Sequence, residues 1–240
     1  MPNPTAAMLV IGDEILSGRT RDTNTHFLAG ELTRHGIALA EARVVPDDHA
    51  VIVAAVNALR ASHDTVFTSG GIGPTHDDIT ADAIAAAFGV RISKRADAMA
   101  LLDAHYQRSG MEFNDARQRM ARIPDGAALI DNPISIAPGF TLGNVHVMAG
   151  VPTIFQAMVA SVLPTLTGGA PLLSQTLRVD RGEGEVAGPF GVLAAEFPDL
   201  SMGSYPFTQN GAFGTNLVIR GTDPSRLHAA MTRLASLFPA

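Results

Sequence analysis

Thr68-Ser69-Gly70-Gly71-Ile72-Gly73-Pro74-Thr75-His76-Asp77-Asp78-Ile79-Thr80 decides how the fold is read. A β-branched run, Thr65–Ser69, leads into it. A helical pattern over Asp78–Phe88 leaves it and closes at Gly89. Gly70, Gly71 and Gly73 have no Cβ, so the backbone there can take positive φ and approach a ligand closely. Their N–H groups and the start of the next helix can then hold a phosphate. A strand–loop–helix unit also puts this loop at the carboxyl end of a strand, the usual ligand position in open α/β sheets. The same residues would equally make a tight turn with Asp77 or Asp78 as helix N-cap. The stretch is not the GxGxxG dinucleotide pattern. Lys94 is the only lysine of the chain, so a Walker-type phosphate lysine is missing as well.

Working outward, strands and helices alternate. Met8–Gly12 reads as a buried parallel strand, Thr23–Gly36 as a helix and Ile37–Val45 as a strand. Pro46-Asp47-Asp48 opens a helix over Ala50–Ala61. This alternation predicts an α/β fold with a mainly parallel sheet covered on both faces. Downstream, Ala96–Ala121 reads as helical with a break near Ser109-Gly110. Ala128–Ile130, Pro138–Leu142 and Val145–Ala149 read as short strands, and Thr153–Leu166 as a helix. Thr167-Gly168-Gly169-Ala170-Pro171 has the composition of a linker. Beyond it the pattern is strand (Gln175–Val179), helix (Glu185–Phe197, interrupted at Gly188-Pro189), strands (Leu200–Tyr205 and Gly214–Arg220) and helix (Pro224–Phe238). The expected organisation is one domain over residues 1–168 and a small α+β domain over 172–240.

Composition narrows the function classes. With 46% hydrophobic and 17% charged residues, the chain is a folded globular protein and not a disordered one. A net charge of −6 disfavours a nucleic-acid surface, which needs clustered Lys and Arg, but leaves room for a local anion pocket. The absence of cysteine excludes disulfides, thiolate metal sites and a Cys nucleophile. No apolar run reaches the roughly 20 residues of a membrane span. Met1–Ala7 lacks the features of a signal peptide, so the expected location is the cytoplasm.

Two acidic clusters also follow predicted strands. One is Asp13 and Glu14 within Gly12–Gly18; the other is Asp47 within Pro46-Asp47-Asp48. Alone, the first would serve as a helix-starting turn and the second as a helix cap. In a parallel sheet, both fall on the same edge as the glycine loop. Asp13, Glu14, Asp47, Asp77 and Asp78 are then expected to ring one cleft. Carboxylates beside a bound phosphate are costly without a cation, so Mg²⁺ or another divalent metal is expected. Asn132–Phe140, with two prolines and a glycine, reads as a fixed irregular loop. Ala149-Gly150-Val151-Pro152 reads as a second anion-binding helix start or as Pro in a first turn. His76, inside the loop, is the histidine singled out for the site.

Together with Thr23-Asn24 and Val45-Pro46-Asp47, these motifs resemble the molybdopterin-binding fold of the MoaB/Mog family. The match is closer to its competence/damage-inducible CinA branch and covers roughly residues 6–166. The tail, with Gly182-Glu183-Gly184-Glu185 and Gly203-Ser204-Tyr205-Pro206, resembles the extension of short CinA-like proteins. It is also similar to the molybdopterin-binding-like half of eukaryotic FAD synthases. The amidohydrolase domain of full-length CinA proteins is not expected before Ala240. The resemblance implies a three-layer α/β/α domain, a small phosphorylated pterin or nucleotide as ligand, molybdopterin foremost, and a homo-oligomer. It implies Asp47 and Asp78 as catalytic carboxylates and Asp77 with Asp78 as metal ligands. Ser69, Gly70, Gly71, Gly73, Thr80, Asp13, Glu14, Asn132, Pro138, Gly139 and Gly150 are the implied ligand-binding positions. The family's Gly-Thr-Ala-Pro-Gly is here Ser135-Ile136-Ala137-Pro138-Gly139. Its Leu-Pro-Gly-Pro-Pro is here Met148-Ala149-Gly150-Val151-Pro152. Three readings follow: a molybdopterin-binding or adenylyl-transfer protein, a metal-dependent nucleotide pyrophosphatase of the ADP-ribose or FAD class, and a non-enzymatic binding or sensing module.

Overall fold

Ala6–Ile11 is buried without a break and forms most of β1 (Thr5–Ile11) in the computed structural model, which describes residues 3–209 and 211–239. A run apolar at every position suits a strand covered on both faces. The chain continues through α1 (Asp13–Leu16), α2 (Asn24–Arg34), β2 (Ala38–Val45), α3 (His49–Ser62), β3 (Thr65–Ser69) and α4 (Thr80–Phe88). It then forms β4 (Ile92–Lys94), α5 (Ala96–Ser109), α6 (Asp115–Gln118), β5 (Arg122–Pro124), β6 (Ala128–Ile130), β7 (Gly139–Leu142), β8 (Val145–Met148) and α7 (Pro152–Val162).

The main sheet has the order β2-β1-β3-β8-β7-β6. β2, β1, β3 and β8 run parallel, and β7 is antiparallel to both of its neighbours. Alternate residues of β1 feed two different cores. Ala7, Leu9 and Ile11 pack with Ile52, Val56, Leu59, Ile84 and Leu102 from α3, α4 and α5. Ala6, Met8 and Val10 pack with Leu28, Leu32, Phe155 and Val159 from α2 and α7. The result is the expected three-layer α/β/α arrangement, with period-two alternation sorting the side chains between its faces. Local signals fix the helix ends. The Asp48 side chain caps α3 by accepting from the N–H groups of Ala50 and Val51 at 2.9 and 3.0 Å. Gly89 ends α4 in the left-handed region at φ 65°.

Several elements differ from the sequence expectation. α4 begins at Thr80, so Asp78 lies in the turn before the helix. α5 ends at the break expected near Ser109-Gly110, but the helix expected beyond it to Ala121 is mostly absent. It resumes only as α6 and a 3₁₀ turn, Arg119–Ala121, before β5 pairs with β4. Strands of three residues are too short to show a period. The final turn of the helix expected to reach Leu166 tightens into a 3₁₀ turn over Leu163–Thr165, which contains Pro164.

The chain divides into two compact units, Met1–Gly169 and Ala170–Ala240. The second holds β9 (Leu173–Val179), α8 (Glu183–Glu196), β10 (Ser201–Gln209), β11 (Ala212–Gly221) and α9 (Pro224–Leu237). Its antiparallel sheet has the order β10-β11-β9. Val186, Phe190 and Leu193 of α8 and Leu227, Ala230 and Leu234 of α9 share a core with Leu217 and Ile219. Pro189 sits within α8, which continues through the expected interruption. Among the described residues, no helix is long and apolar enough to cross a membrane.

Candidate functional site

The carboxyl ends of β1, β2 and β3 point to one edge of the sheet, and the glycine loop begins there. Gly70 has φ +111°, and a Cβ on it would lie 2.1 Å from the Ile11 carbonyl oxygen. Its N–H donates to the Met148 carbonyl at 3.1 Å. Gly70 therefore lets β3 pass close to β1, and its amide is already used, which corrects its expected place among the phosphate donors. Gly71 has φ +67°, and a Cβ there would lie 2.1 Å from Thr80 Oγ1. The Thr80 N–H donates to the Gly71 carbonyl at 3.0 Å. Thr80 is fully buried, so it supports the loop from behind and does not face a ligand. The N–H groups of Gly71, Ile72 and Gly73 are the open ones: among the described residues, none of them has a protein acceptor.

The carboxylates gather beside this loop. Glu14, Asp47, Asp77 and Asp78 line one cleft of about 390 Å³ together with Gly71, Arg19 and Thr20. Asp47 Oδ2 accepts the Asp13 N–H at 3.0 Å. Partial burial pushes the Asp47 carboxyl above the usual range; the Asp13 amide opposes this, and repulsion from Asp13, Glu14 and Asp77 adds to it. Asp78 Oδ2 accepts the Thr75 N–H at 2.8 Å and the Thr75 hydroxyl at 2.5 Å. A Cβ on Gly73 would lie 2.6 Å from that same oxygen. Asp13 itself is exposed and contributes its amide to Asp47. His76 is almost wholly exposed and stands 4.0 Å from Asp77.

A second cleft of about 510 Å³ adjoins the first and shares Glu14, Thr20, Gly71 and Asp78 with it. Its wall is more apolar, with Ile72, Met120, Ala149, Val151 and Ile154. Gly150 is exposed on its rim and packs against Gly70, where a Cβ would meet the Gly70 Cα at 3.4 Å.

Four expected ligand positions have structural duties instead. Ser69 is buried and accepts the Asn24 Nδ2 at 2.8 Å. Asn132 borders the cleft, but its side chain is spent within its own loop. Nδ2 donates to Ser135 Oγ and the Ala137 carbonyl, and Oδ1 accepts the N–H groups of Ile134 and Ser135. Pro138 is buried. Gly139 lies in β7, where a Cβ would meet the Val147 carbonyl at 2.4 Å. Ile136 holds φ 65°, a costly conformation for a β-branched side chain.

The sequence did not single out Asn24, Arg19, Thr20 or Arg119 as site residues. Asn24 is buried and its Nδ2 donates to both Ser69 Oγ and the Gly150 carbonyl, each at 2.8 Å. It thus ties the start of α2 to the ends of β3 and β8. Arg119 reaches the Asp78 carbonyl at 3.5 Å. Asn24 belongs to the Thr23-Asn24 pair of the family resemblance, whereas Arg119, just before β5, is far from the loop in sequence.

A resident metal does not fit these residues as they stand. Among the described residues, no three His, Asp or Glu side chains gather closely enough to hold an ion. One oxygen each of Asp47 and Asp78 is already engaged by a protein donor.

Comparison with known proteins agrees with this architecture. Residues 7–168 match the family profile described as a probable molybdopterin binding domain, and residues 171–240 match that of the FAD synthase middle domain. A CinA-like protein from Citrifermentans bemidjiense is 36% identical over 207 residues, which cover 83% of this chain and 48% of that protein. A probable FAD synthase from Caenorhabditis elegans is 32% identical over 258 residues, covering 97% and 50% respectively. The chain thus spans about half the length of these curated relatives. The crystal structure of the protein CinA, with unknown function, from Thermoplasma acidophilum superposes with a TM-score of 0.62 at 33% identity, covering 68% of this chain and 97% of that one. With its profile match over residues 7–168 and these relatives, the chain belongs to the molybdopterin-binding domain family, as one of its CinA-like members.

Proposed function

We propose that the cleft binds a phosphorylated pterin of the molybdopterin type, or a nucleotide that presents the same phosphate, with that phosphate on the amides of Gly71, Ile72 and Gly73. The observation that carries this reading is three successive N–H groups that, among the described residues, have no protein acceptor and lie just past the end of a parallel strand. Unpaired amides clustered in this way form an anion-binding concavity. The more apolar cleft beside the loop offers a wall for a flat heterocycle, and Gly150 on its rim leaves room for close approach.

A second reading adds hydrolysis of a phosphoanhydride, as in ADP-ribose or FAD. It is favoured by Asp47, whose partial burial and acidic neighbours disfavour its ionised form. Such a carboxylate is suited to take a proton from attacking water. In this reading Asp78 acts on the loop and not on the phosphate: its carboxylate holds the Thr75 N–H and hydroxyl and so fixes the turn that carries the open Gly73 amide. A divalent ion in this reading would arrive with the ligand phosphates and not as a resident of the free protein.

Calorimetric titration with AMP, and with molybdopterin, tests the binding reading. Saturable binding that Gly73→Ala weakens about tenfold or more supports it, and binding indifferent to Gly73→Ala counts against it. Product analysis with ADP-ribose and FAD, with and without Mg²⁺ or Co²⁺, tests the second reading. Turnover that Asp47→Asn removes while AMP binding persists is the expected result; turnover unaffected by the substitution rejects Asp47 as the base.

A further inference from the structure

We propose that Arg19 recognises a second, distal phosphate, so that the site prefers a diphosphate to a monophosphate. This rests on the reading of Gly71–Gly73 as the first phosphate cradle.

Arg19 is the only cationic residue among those lining the 390 Å³ cleft, where it faces a wall containing Glu14, Asp47, Asp77 and Asp78. Most arginines of the chain are engaged: Arg122 pairs with Asp82, Arg95 with Asp97 and Arg226 with Asp199. Arg19 is exposed, and among the described residues it has no ion pair, hydrogen bond or ring contact. Its backbone is nevertheless well fixed. The Ser17 N–H donates to the Asp13 carbonyl at 2.8 Å, the Gly18 N–H to Ile15 at 3.1 Å and the Thr20 N–H to Glu14 at 2.9 Å. Gly18 turns the chain at φ +73° immediately before Arg19. A closed turn therefore presents an uncommitted guanidinium to an acidic cleft.

The two clefts divide the chemistry. Gly71 and Asp78 border both, whereas Arg19 borders only the acidic one. A heterocycle on the apolar wall with its first phosphate at Gly71–Gly73 would extend its next phosphate into the acidic cleft. Four carboxylates there repel an anion, and Arg19 is the protein's own counter-charge. A planar guanidinium also offers two parallel N–H donors to phosphate oxygens, a stronger and more directional contact than an exposed pairing with a carboxylate.

Isothermal titration of AMP and ADP, each with EDTA and with Mg²⁺, tests this on the full chain. The wild type is expected to bind ADP about tenfold more tightly than AMP. Arg19→Gln is expected to erase that preference and leave AMP affinity within about twofold, and Arg19→Lys to keep part of it. An Arg19→Gln protein that retains the full ADP preference, or that loses AMP and ADP equally, overturns the inference alone. A wild type that binds neither nucleotide, or AMP binding untouched by Gly73→Ala, overturns both the inference and the cradle beneath it.

Discussion

The Asp78 carboxylate occupies the space that a side chain on Gly73 would need: a Cβ there would stand 2.6 Å from Asp78 Oδ2. Glycine at this position lets the carboxylate fold back over the loop and hold Thr75, while the Gly73 N–H stays open. Gly73→Ala should therefore displace Asp78 and disturb the cradle, with little effect on the core. We expect phosphate-ligand affinity to fall about tenfold or more, with the midpoint of thermal unfolding shifted by only a few degrees. Calorimetric titration and a thermal melt on the same sample check this.

Gly71 and Thr80 make the opposite case, in which stability is at stake. Gly71→Ala combines a left-handed φ of +67° with a clash against buried Thr80. It should cost about 1–3 kcal/mol or more in a urea titration. Among the described residues, buried Thr80 Oγ1 has no hydrogen-bond partner. Thr80→Val, which keeps the shape and removes that orphaned oxygen, should be near neutral or stabilising. A large loss of stability in Thr80→Val would mean that the hydroxyl has a partner after all.

Asn24 is expected to matter through position and not through contact with ligand. Asn24→Ala strips the donor shared by Ser69 and Gly150 and leaves two acceptors unpaired. A loss of about 2 kcal/mol follows in chemical denaturation, together with weaker ligand binding as the rim at Gly150 loosens. Unchanged stability would contradict this role.

His146 gives the fold a pH dependence. It is buried in β8 against the Phe67 ring and shares a 2.9 Å hydrogen bond with the Thr141 hydroxyl. Burial lowers its pKa to about 4. In the unfolded chain it titrates near 6.5. Between these values the unfolded state binds more protons, so stability is complete above about pH 6.5 and falls as pH drops toward 4. The contribution lost is about 3 kcal/mol, taking roughly 1.4 kcal/mol per pKa unit. Asp47, with a raised pKa, opposes the trend. Urea titrations at pH 7 and pH 4.5 should show a clear drop for the wild type and a flatter response for His146→Gln. Equal slopes would contradict the assignment.

The sequence was most legible where one rule acted alone. Continuous apolar strands, Gly89 at a helix end and Asp48 at a helix start each have a local physical cause, and their elements appear where those causes put them. The gathering of Glu14, Asp47, Asp77 and Asp78 was also legible, because parallel strands bring their carboxyl ends to one edge. Individual roles were not. Spacing does not reveal that the Gly70 amide is spent on Met148, that Thr80 lies behind the loop, or that Asn132 is consumed by its own turn. Those facts depend on side-chain direction and on partners far away in the chain. Arg19 escaped notice because an arginine in a polar turn looks like any solvated charge until the neighbouring walls are in place.

The most direct measurement is an amide-resolved NMR titration with AMP. Large, saturable shifts confined to the Gly71, Ile72 and Gly73 N–H signals and their immediate neighbours, with the Gly70 amide nearly still, are the result the cradle requires. Shifts elsewhere with those three signals unmoved would show that the loop does not hold the phosphate.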